Sequence, residues 1–263
     1  MRYRASVIAL APLLVVGCSL RGITASDLSL DIYPSADIKV NFQQDWQVNL
    51  YHNRIAVFKE APVGLDKIVF LGDSLTQGAS SWNDRFGLQN LVNRGIAGDI
   101  TEGVLVRLDE IAHYEPLAVF VLIGINDIFD SHIEGRDKIT PQYVANNILR
   151  IASCIQSESK STKVFIQTIL PVDLVRYKEV KGVFPVHVVD LNDQISQINS
   201  ILTTILKAQS TATLIDLHKS FVDDRGMLDV SLSSDGVHLS EAGYSVWVEN
   251  IRSHVNESNQ LND

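Results

Sequence analysis

One serine in this sequence stands where an apolar run ends at a glycine. The stretch GDSLTQG, residues 72–78, places Ser74 between an aspartate and further polar residues. A serine in this position can cap the helix that follows, which requires only the local pattern. It can also be a nucleophile, which requires a base, a group that orients the base, and donors for a developing oxyanion. The nucleophile hypothesis therefore depends on other parts of the chain.

The stretch SSDGVHLS, residues 233–240, holds candidates for the base and its orienting group. An imidazole titrates near neutrality, so His238 can take the proton of a serine hydroxyl. Asp235 lies three residues earlier and can fix the imidazole tautomer and stabilise the imidazolium. The alternative interpretation is a polar loop that leads into the last helix.

Two further stretches supply candidate donors for an oxyanion. NRGIAGD, residues 93–99, contains Gly98, and GIND, residues 124–127, contains Asn126. Glycine lets the backbone approach a ligand closely, so we expect the backbone N–H groups of Ser74 and Gly98 and the amide of Asn126 to form an oxyanion hole. Taken singly, these stretches could be ordinary turns and helix caps.

The apolar pattern predicts the elements that position these residues. Short apolar runs predict strands at residues 67–72, 91–93, 117–124, 163–170 and 212–217. Helical spacing predicts helices at 42–60, 101–114, 141–157 and 191–207, and another from residue 240. This alternation predicts an α/β fold with a doubly wound, flavodoxin-like parallel sheet of strand order 2-1-3-4-5. The polar stretches then follow the carboxyl ends of strands, where such sheets bind ligands.

In this order, GDSLTQG, NRGIAGD, GIND and DGVH resemble the four sequence blocks of the GDSL, or SGNH, hydrolases. The resemblance implies a three-layer α/β/α fold and a serine esterase acting through an acyl-enzyme. It implies a triad of Ser74, Asp235 and His238, with Gly98 and Asn126 completing the oxyanion hole. The blocks are most similar to the platelet-activating-factor acetylhydrolase and bacterial sugar O-acetylesterase branch, which implies short acyl groups, acetyl above all. No G-x-S-x-G surrounds Ser74, so the α/β-hydrolase elbow is not indicated.

Other residues near these stretches are candidates for contact with the substrate. Trp82 and Arg94 are close in sequence to the first two stretches. Tyr177, Phe184 and His187 belong to the long segment 171–190, and long segments of this kind often form lids or binding loops. The substrate is expected to be a small-molecule, glycan or lipid acyl ester.

Two other functions fit parts of the pattern. Asp73, Asp99, Asn126 and His238 could be ligands of a two-metal phosphoesterase, but such sites use several histidines and the stretches contain one. We therefore expect no metal and no cofactor. A surface lipoprotein could instead bind a glycan or lipid ester without hydrolysing it, although such a protein would have no chemical need for both a serine and a histidine. Substitution of Ser74 separates catalysis from binding, because hydrolysis should be lost and binding should survive.

The first residues have the pattern of an export signal. Arg2 and Arg4 precede a short apolar run, and LVVGC, residues 14–18, resembles a bacterial lipobox. We expect removal of residues 1–17, lipidation of Cys18, a tether over 18–41 and a hydrolase domain over 42–263. Because Ser19 is not aspartate, the outer membrane facing the periplasm is favoured over the inner membrane; a plain signal peptide is the alternative.

The net charge of the chain bears on its partners. The formal net charge of −9 and the pI of about 5.2 argue against a nucleic-acid partner. The expected partners are therefore the ester substrate and, through the anchor, a membrane. The sequence does not indicate an oligomeric state.

Overall fold

The computed structural model describes residues 32–129, 135–182, 189–209 and 211–260. Five strands alternate with helices along these residues. The strands are β1 (Ile68–Gly72), β2 (Leu91–Gly95), β3 (Ala118–Leu122), β4 (Lys163–Gln167) and β5 (Thr213–Ile215). The helices are α1 (Asp45–Glu60), α2 (Ser74–Gly78), α3 (Trp82–Phe86), α4 (Thr101–Leu105), α5 (Asp109–Tyr114), α6 (Ile125–Phe129), α7 (Pro141–Glu158), α8 (Leu174–Lys181), α9 (Leu191–Ala208) and α10 (Glu241–Asn259).

The strands form one parallel sheet in the order β2-β1-β3-β4-β5. This confirms the predicted strand order and the α/β fold class. All residues of β1 and β3 are buried, as expected for central strands with helices on both faces. The reversal of strand order at β1 opens a crevice beyond the carboxyl ends of β1 and β3.

Two apolar layers cover the sheet and a third, smaller cluster lies at its β2 side. One layer packs α4, α5, α7 and α9 on the face that carries Val69 and Val121. The other packs α2, α3 and α10 on the face that carries Phe70 and Phe120. In the third cluster, α1 packs against Ile96 and the residues around it. The arrangement confirms the three-layer architecture. Along the described part of the chain, no helix is both long and apolar enough to traverse a bilayer.

Three of the differences from the predicted elements concern a divided helix, an added helix and the start of the domain. The single helix predicted over 101–114 is two helices, because the chain leaves helical geometry before Arg107, whose guanidinium turns inward to Asp99. Segment 171–190 is not simply a loop, since it contains α8. The predicted tether over 18–41 is also too long: the hydroxyl of Tyr33 donates to Glu110 at 2.9 Å and Val40 is buried, so the packed domain begins before residue 42.

Candidate active site

The sheet brings the three polar stretches of its first half together. Gly72 of β1 is paired in register with Gly95 of β2 on one side and Leu122 of β3 on the other. Ser74, Gly98 and Asn126 each follow these paired residues within four positions. They therefore emerge at one edge of the sheet, at the crevice expected from the strand order.

Ser74 is the first residue of α2, directly after β1. Asp73 caps this helix, since its Oδ1 accepts the N–H of Leu75 at 2.9 Å. The first N–H groups of a helix have no acceptor within the helix, which leaves the N–H of Ser74 available to a ligand. The last helix holds α2 in place, because the hydroxyl of Tyr244 donates to the Leu75 carbonyl at 2.9 Å.

His238 and Asp235 lie in a tight loop between β5 and α10. The hydroxyl of Ser233 donates to the His238 carbonyl at 2.9 Å and accepts the N–H of Gly236 at 2.7 Å, which closes the loop. Gly236 has a φ of 89°, and no side chain fits at this position, since a Cβ would lie 2.1 Å from the Asp173 carbonyl oxygen. The loop therefore needs glycine at this position.

The loop joins the nucleophile candidate through a chain of hydrogen bonds. Nε2 of His238 lies 3.1 Å from Oγ of Ser74, and Nδ1 lies 2.8 Å from Oδ2 of Asp235. With the proton on Nδ1, the imidazole donates to Asp235 and can accept the hydroxyl proton of Ser74. Such a chain has the geometry required for activating a serine hydroxyl.

The carboxyl of Asp235 is held in its charged form. Burial alone would raise the pKa of Asp235, but the backbone N–H and ring of His238 and the N–H of Val237 outweigh burial and lower this pKa to about 2. The carboxylate thus remains an acceptor for the imidazole at neutral pH and can stabilise an imidazolium.

Gly98 lies in a turn that is closed by a 3.0 Å hydrogen bond from the Asp99 N–H to the Ile96 carbonyl. Its φ is 77°, a conformation that favours glycine. Its N–H makes no hydrogen bond with any residue in the described ranges and so is available to a ligand. A Cβ at Gly98 would lie 2.6 Å from the ring of Trp46, so the outer side of the turn is covered.

Asn126 lies at the start of α6 beside this turn. Its Nδ2 donates to the Asp99 carbonyl at 3.0 Å, which places the amide next to the Gly98 peptide. The same nitrogen carries a second N–H. Ser74, Gly98 and Asn126 thus supply three candidate donors around the crevice.

Three buried aspartates lie beneath these loops. Oδ2 of Asp99 accepts from Arg107 at 2.8 Å, and Asp127 accepts the N–H and hydroxyl of Thr101. Burial is the main cause that raises the pKa of Asp73 and of Asp127 to about 7, and that of Asp99 to about 6. Their hydrogen bonds to backbone and neighbouring side chains make them supports of the loops. Within the described ranges, no group of three His, Cys, Asp or Glu residues could hold a metal ion.

Two predicted substrate contacts are wrong. Trp82 is 1% exposed and stacks on Phe70 at 3.9 Å between ring centroids, inside the core under α10. Arg94 is buried and pairs with Glu110 at 2.8 Å. Trp82 follows the first polar stretch and Arg94 lies within the second, but the helix and strand that carry them direct their side chains into the protein.

Of the other predicted substrate contacts, Tyr177 lies in the described part of the chain. Tyr177 is half-buried on α8, and its ring packs edge-on against Phe129 with 5.3 Å between centroids. Its contact with substrate stays a prediction. Phe184, His187 and Cys18, the predicted lipidation site, lie outside the described residues.

Three residues near the site were not singled out from the sequence. Gln47, at the start of α1, donates from Nε2 to the Gly98 carbonyl at 2.8 Å, and Trp46 lies over the same turn. Lys181, the last residue of α8, places Nζ 3.1 Å from Oδ2 of Asp235. Of these three residues, only Gln47 has a signal in the sequence, because it is a polar residue on the helix face that also carries Tyr51 and Ile55.

Comparison with known proteins identifies the family. The GDSL-like lipase/acylhydrolase family matches residues 70–246. The rat platelet-activating factor acetylhydrolase IB subunit alpha1 is 28% identical over 203 residues, which cover 75% of this chain and 77% of that protein.

Solved structures share the fold. A GDSL-like lipase from Bacteroides thetaiotaomicron superposes with a TM-score of 0.64 at 20% identity, covering 79% of this chain and 98% of that one. An acetylxylan esterase from Geobacillus stearothermophilus superposes with a TM-score of 0.56 at 15% identity, covering 71% and 93%. The family match spans both the serine and the aspartate–histidine stretches of the crevice, and this chain therefore belongs to the GDSL-like lipase/acylhydrolase family and is a carboxylic ester hydrolase.

Proposed function

We propose that this protein is a serine esterase that removes short acyl groups, acetyl above all, through an acyl-enzyme intermediate. The observation that carries the proposal is the hydrogen-bonded chain from Asp235 through His238 to Ser74, with distances of 2.8 and 3.1 Å. The preference for acetyl is supported by the similarity to an acetylhydrolase subunit.

In the first half of the reaction, Oγ of Ser74 attacks the ester carbonyl carbon while Nε2 of His238 takes the hydroxyl proton. Asp235 stabilises the imidazolium, and the N–H groups of Ser74 and Gly98 and the amide of Asn126 receive the oxyanion. Collapse of the tetrahedral intermediate breaks the bond to the alcohol, which leaves with the proton from His238. The acyl group remains on Ser74.

In the second half, water attacks the acyl carbon and gives a proton to Nε2 of His238. The second tetrahedral intermediate uses the same donors. When it collapses, the bond to Oγ breaks, the carboxylic acid leaves, and the proton returns to Ser74. No group beyond the chain and water is required in these steps.

The test uses the full-length chain in detergent micelles with p-nitrophenyl acetate and butyrate, with and without a chelator. We expect chelator-resistant hydrolysis that favours acetate, and loss of at least about 10³-fold in kcat for Ser74→Ala. Ser157→Ala, an exposed serine at the end of α7, is the control and should retain activity. A fluorophosphonate should add to wild type and fail to add to Ser74→Ala. A Ser74→Ala enzyme with wild-type turnover would disprove the proposal.

We further propose that Cys18 carries a lipid anchor that holds the esterase at the outer membrane, facing the periplasm. The support is the lipobox-like stretch that ends at this cysteine. In a bacterial host, wild type should fractionate with membranes and Cys18→Ser should not. Equal membrane association of the two proteins would contradict the anchor while leaving the esterase proposal intact.

A further inference from the structure

The turn that carries Gly98 is held on both sides by side-chain amides. On one side, Oε1 of Gln77, from α2, accepts the N–H of Ala97 at 2.7 Å. On the other, Nε2 of Gln47, from α1, donates to the Gly98 carbonyl at 2.8 Å. The peptides before and after the Ala97–Gly98 peptide are therefore both fixed, and the Gly98 N–H lies between them.

Gln47 is held at both ends of its side-chain amide. It is 2% exposed, and its Oε1 accepts the N–H of Gln44 at 2.7 Å, so both ends of its amide are bonded. This bond and its reciprocal partner form the cap of α1. The cap thus fixes the orientation of the amide that bonds Gly98.

The segment before α1 is also linked to Asn126, another of the proposed oxyanion donors. The guanidinium of Arg136 donates to the Phe42 carbonyl at 2.6 Å and to the Asn126 carbonyl at 3.3 Å. The chain around the start of α1 therefore contacts the Gly98 turn directly and is linked to Asn126 through Arg136. It lies outside residues 70–246, which the family match covers.

We infer that Gln47 is a positioning residue that aims the backbone N–H of Gly98 at the oxyanion of the reaction. The inference rests on the function proposed above. A glycine with φ of 77° has wide conformational freedom, and its N–H can turn away at small cost once a flanking peptide is released. An oxyanion donor stabilises the transition state only when it is held in place before reaction, so release lowers kcat more than substrate binding.

The chain offers a matched control on the same helix. Tyr51, one turn after Gln47, is also buried and donates to a glycine carbonyl, that of Gly103 at 3.0 Å. Tyr51→Phe removes one hydrogen bond between α1 and the body of the protein without touching the Gly98 turn. A purely structural role of Gln47 predicts the same behaviour for both variants.

The experiment measures kcat, KM and the urea midpoint for Gln47→Met, Gln47→Glu and Tyr51→Phe in the full-length chain. We expect both Gln47 variants to lose roughly tenfold to a hundredfold in kcat with KM within about twofold of wild type. Tyr51→Phe should lose stability and keep kcat. Gln47→Glu retains the acceptor for Gln44 and therefore remains a test if Gln47→Met fails to fold.

Inhibition by phenylboronic acid, which forms a tetrahedral adduct with a nucleophilic serine, gives the second readout. Its inhibition constant should rise for the Gln47 variants by about the factor by which kcat/KM falls. Wild-type kcat and wild-type boronate inhibition in a folded Gln47 variant would overturn the inference. The proposed function fails by a different result, namely hydrolysis that does not depend on Ser74.

Discussion

Lys181 forms an ion pair with Asp235, and its Nζ lies 3.1 Å from the same Oδ2 that faces the imidazole of His238 at 2.8 Å. The end of α8 therefore places a positive charge beside the proposed triad. The ammonium group of Lys181 and the imidazole of His238 therefore share one carboxylate oxygen of Asp235.

Replacement of Lys181 should therefore raise turnover slightly. In Lys181→Gln the imidazole no longer shares Oδ2 of Asp235 with an ammonium group, so we expect kcat to rise by about twofold, a small change because Lys181 is exposed. Lys178→Gln removes an equal charge from the same helix and serves as the control. Identical kcat values for Lys181→Gln and wild type would show that the ion pair does not affect the proposed triad.

Removal of the Asn126 amide should lower turnover. Its nitrogen lies 3.0 Å from the Asp99 carbonyl, beside the Gly98 turn, and carries a second N–H that donates to the oxyanion in the proposed mechanism. We expect Asn126→Ala to reduce kcat by roughly 10²–10³, as for other oxyanion donors. Asn147→Ala removes a buried amide that bonds Thr101 instead, and should mainly reduce stability. Equal turnover of Asn126→Ala and wild type would remove Asn126 from the oxyanion hole.

A methyl group at Gly98 should strain the turn in two separable ways. The φ of 77° costs a non-glycine residue about 1–2 kcal/mol, and the Cβ also meets the Trp46 ring at 2.6 Å. We expect Gly98→Ala to lower Tm by more than Gly87→Ala, a position with φ of 71° and open space around it. In a Trp46→Ala background, the difference in Tm between Gly98→Ala and Gly87→Ala should be smaller. If Gly98→Ala and Gly87→Ala lower Tm by the same amount, the Trp46 ring moves aside without loss of stability.

Asp73 should make the folded state less stable as pH rises. Burial raises its pKa from 3.8 to about 7, so between these values the folded chain holds a proton that the unfolded chain has lost. The free energy of unfolding therefore falls through this range, by at most about 4 kcal/mol from this group. Asparagine cannot ionise, so Asp73→Asn should gain stability relative to wild type from pH 4 to pH 8.

Urea unfolding at several pH values measures this difference. Exposed Asp224→Asn is the control and should follow the wild-type pH dependence. A constant difference between Asp73→Asn and wild type across the range would mean that Asp73 titrates normally.

Sequence reasoning anticipated the sheet because the strand signals are local. The runs around Phe70 and Val121 are apolar enough to indicate strands that are buried on both faces, and strand–helix alternation then limits the topology. The convergence of Ser74, Gly98 and Asn126 followed from that topology. The loop of Asp235 and His238 was found by its residue types, and the hydrogen-bond distances required the structure.

The errors came from features that depend on tertiary packing. Nearness in sequence suggested Trp82 and Arg94 as substrate contacts, but the direction of a side chain depends on which face of an element is covered. Gln47 and Lys181 reach the site from α1 and α8, far from the polar stretches in sequence, and no spacing rule links them to it.

The separation of Ser74 and His238 by 164 positions also bears on how the protein becomes active. The proposed nucleophile follows the first strand, whereas the proposed base follows the last, and α10 must dock for Tyr244 to bind the Leu75 carbonyl. A growing or refolding chain can form most of its sheet and still have no paired serine and imidazole. The recovery of hydrolysis after dilution from denaturant would therefore report when the carboxyl-terminal segment docks. It should lag behind the recovery of secondary structure.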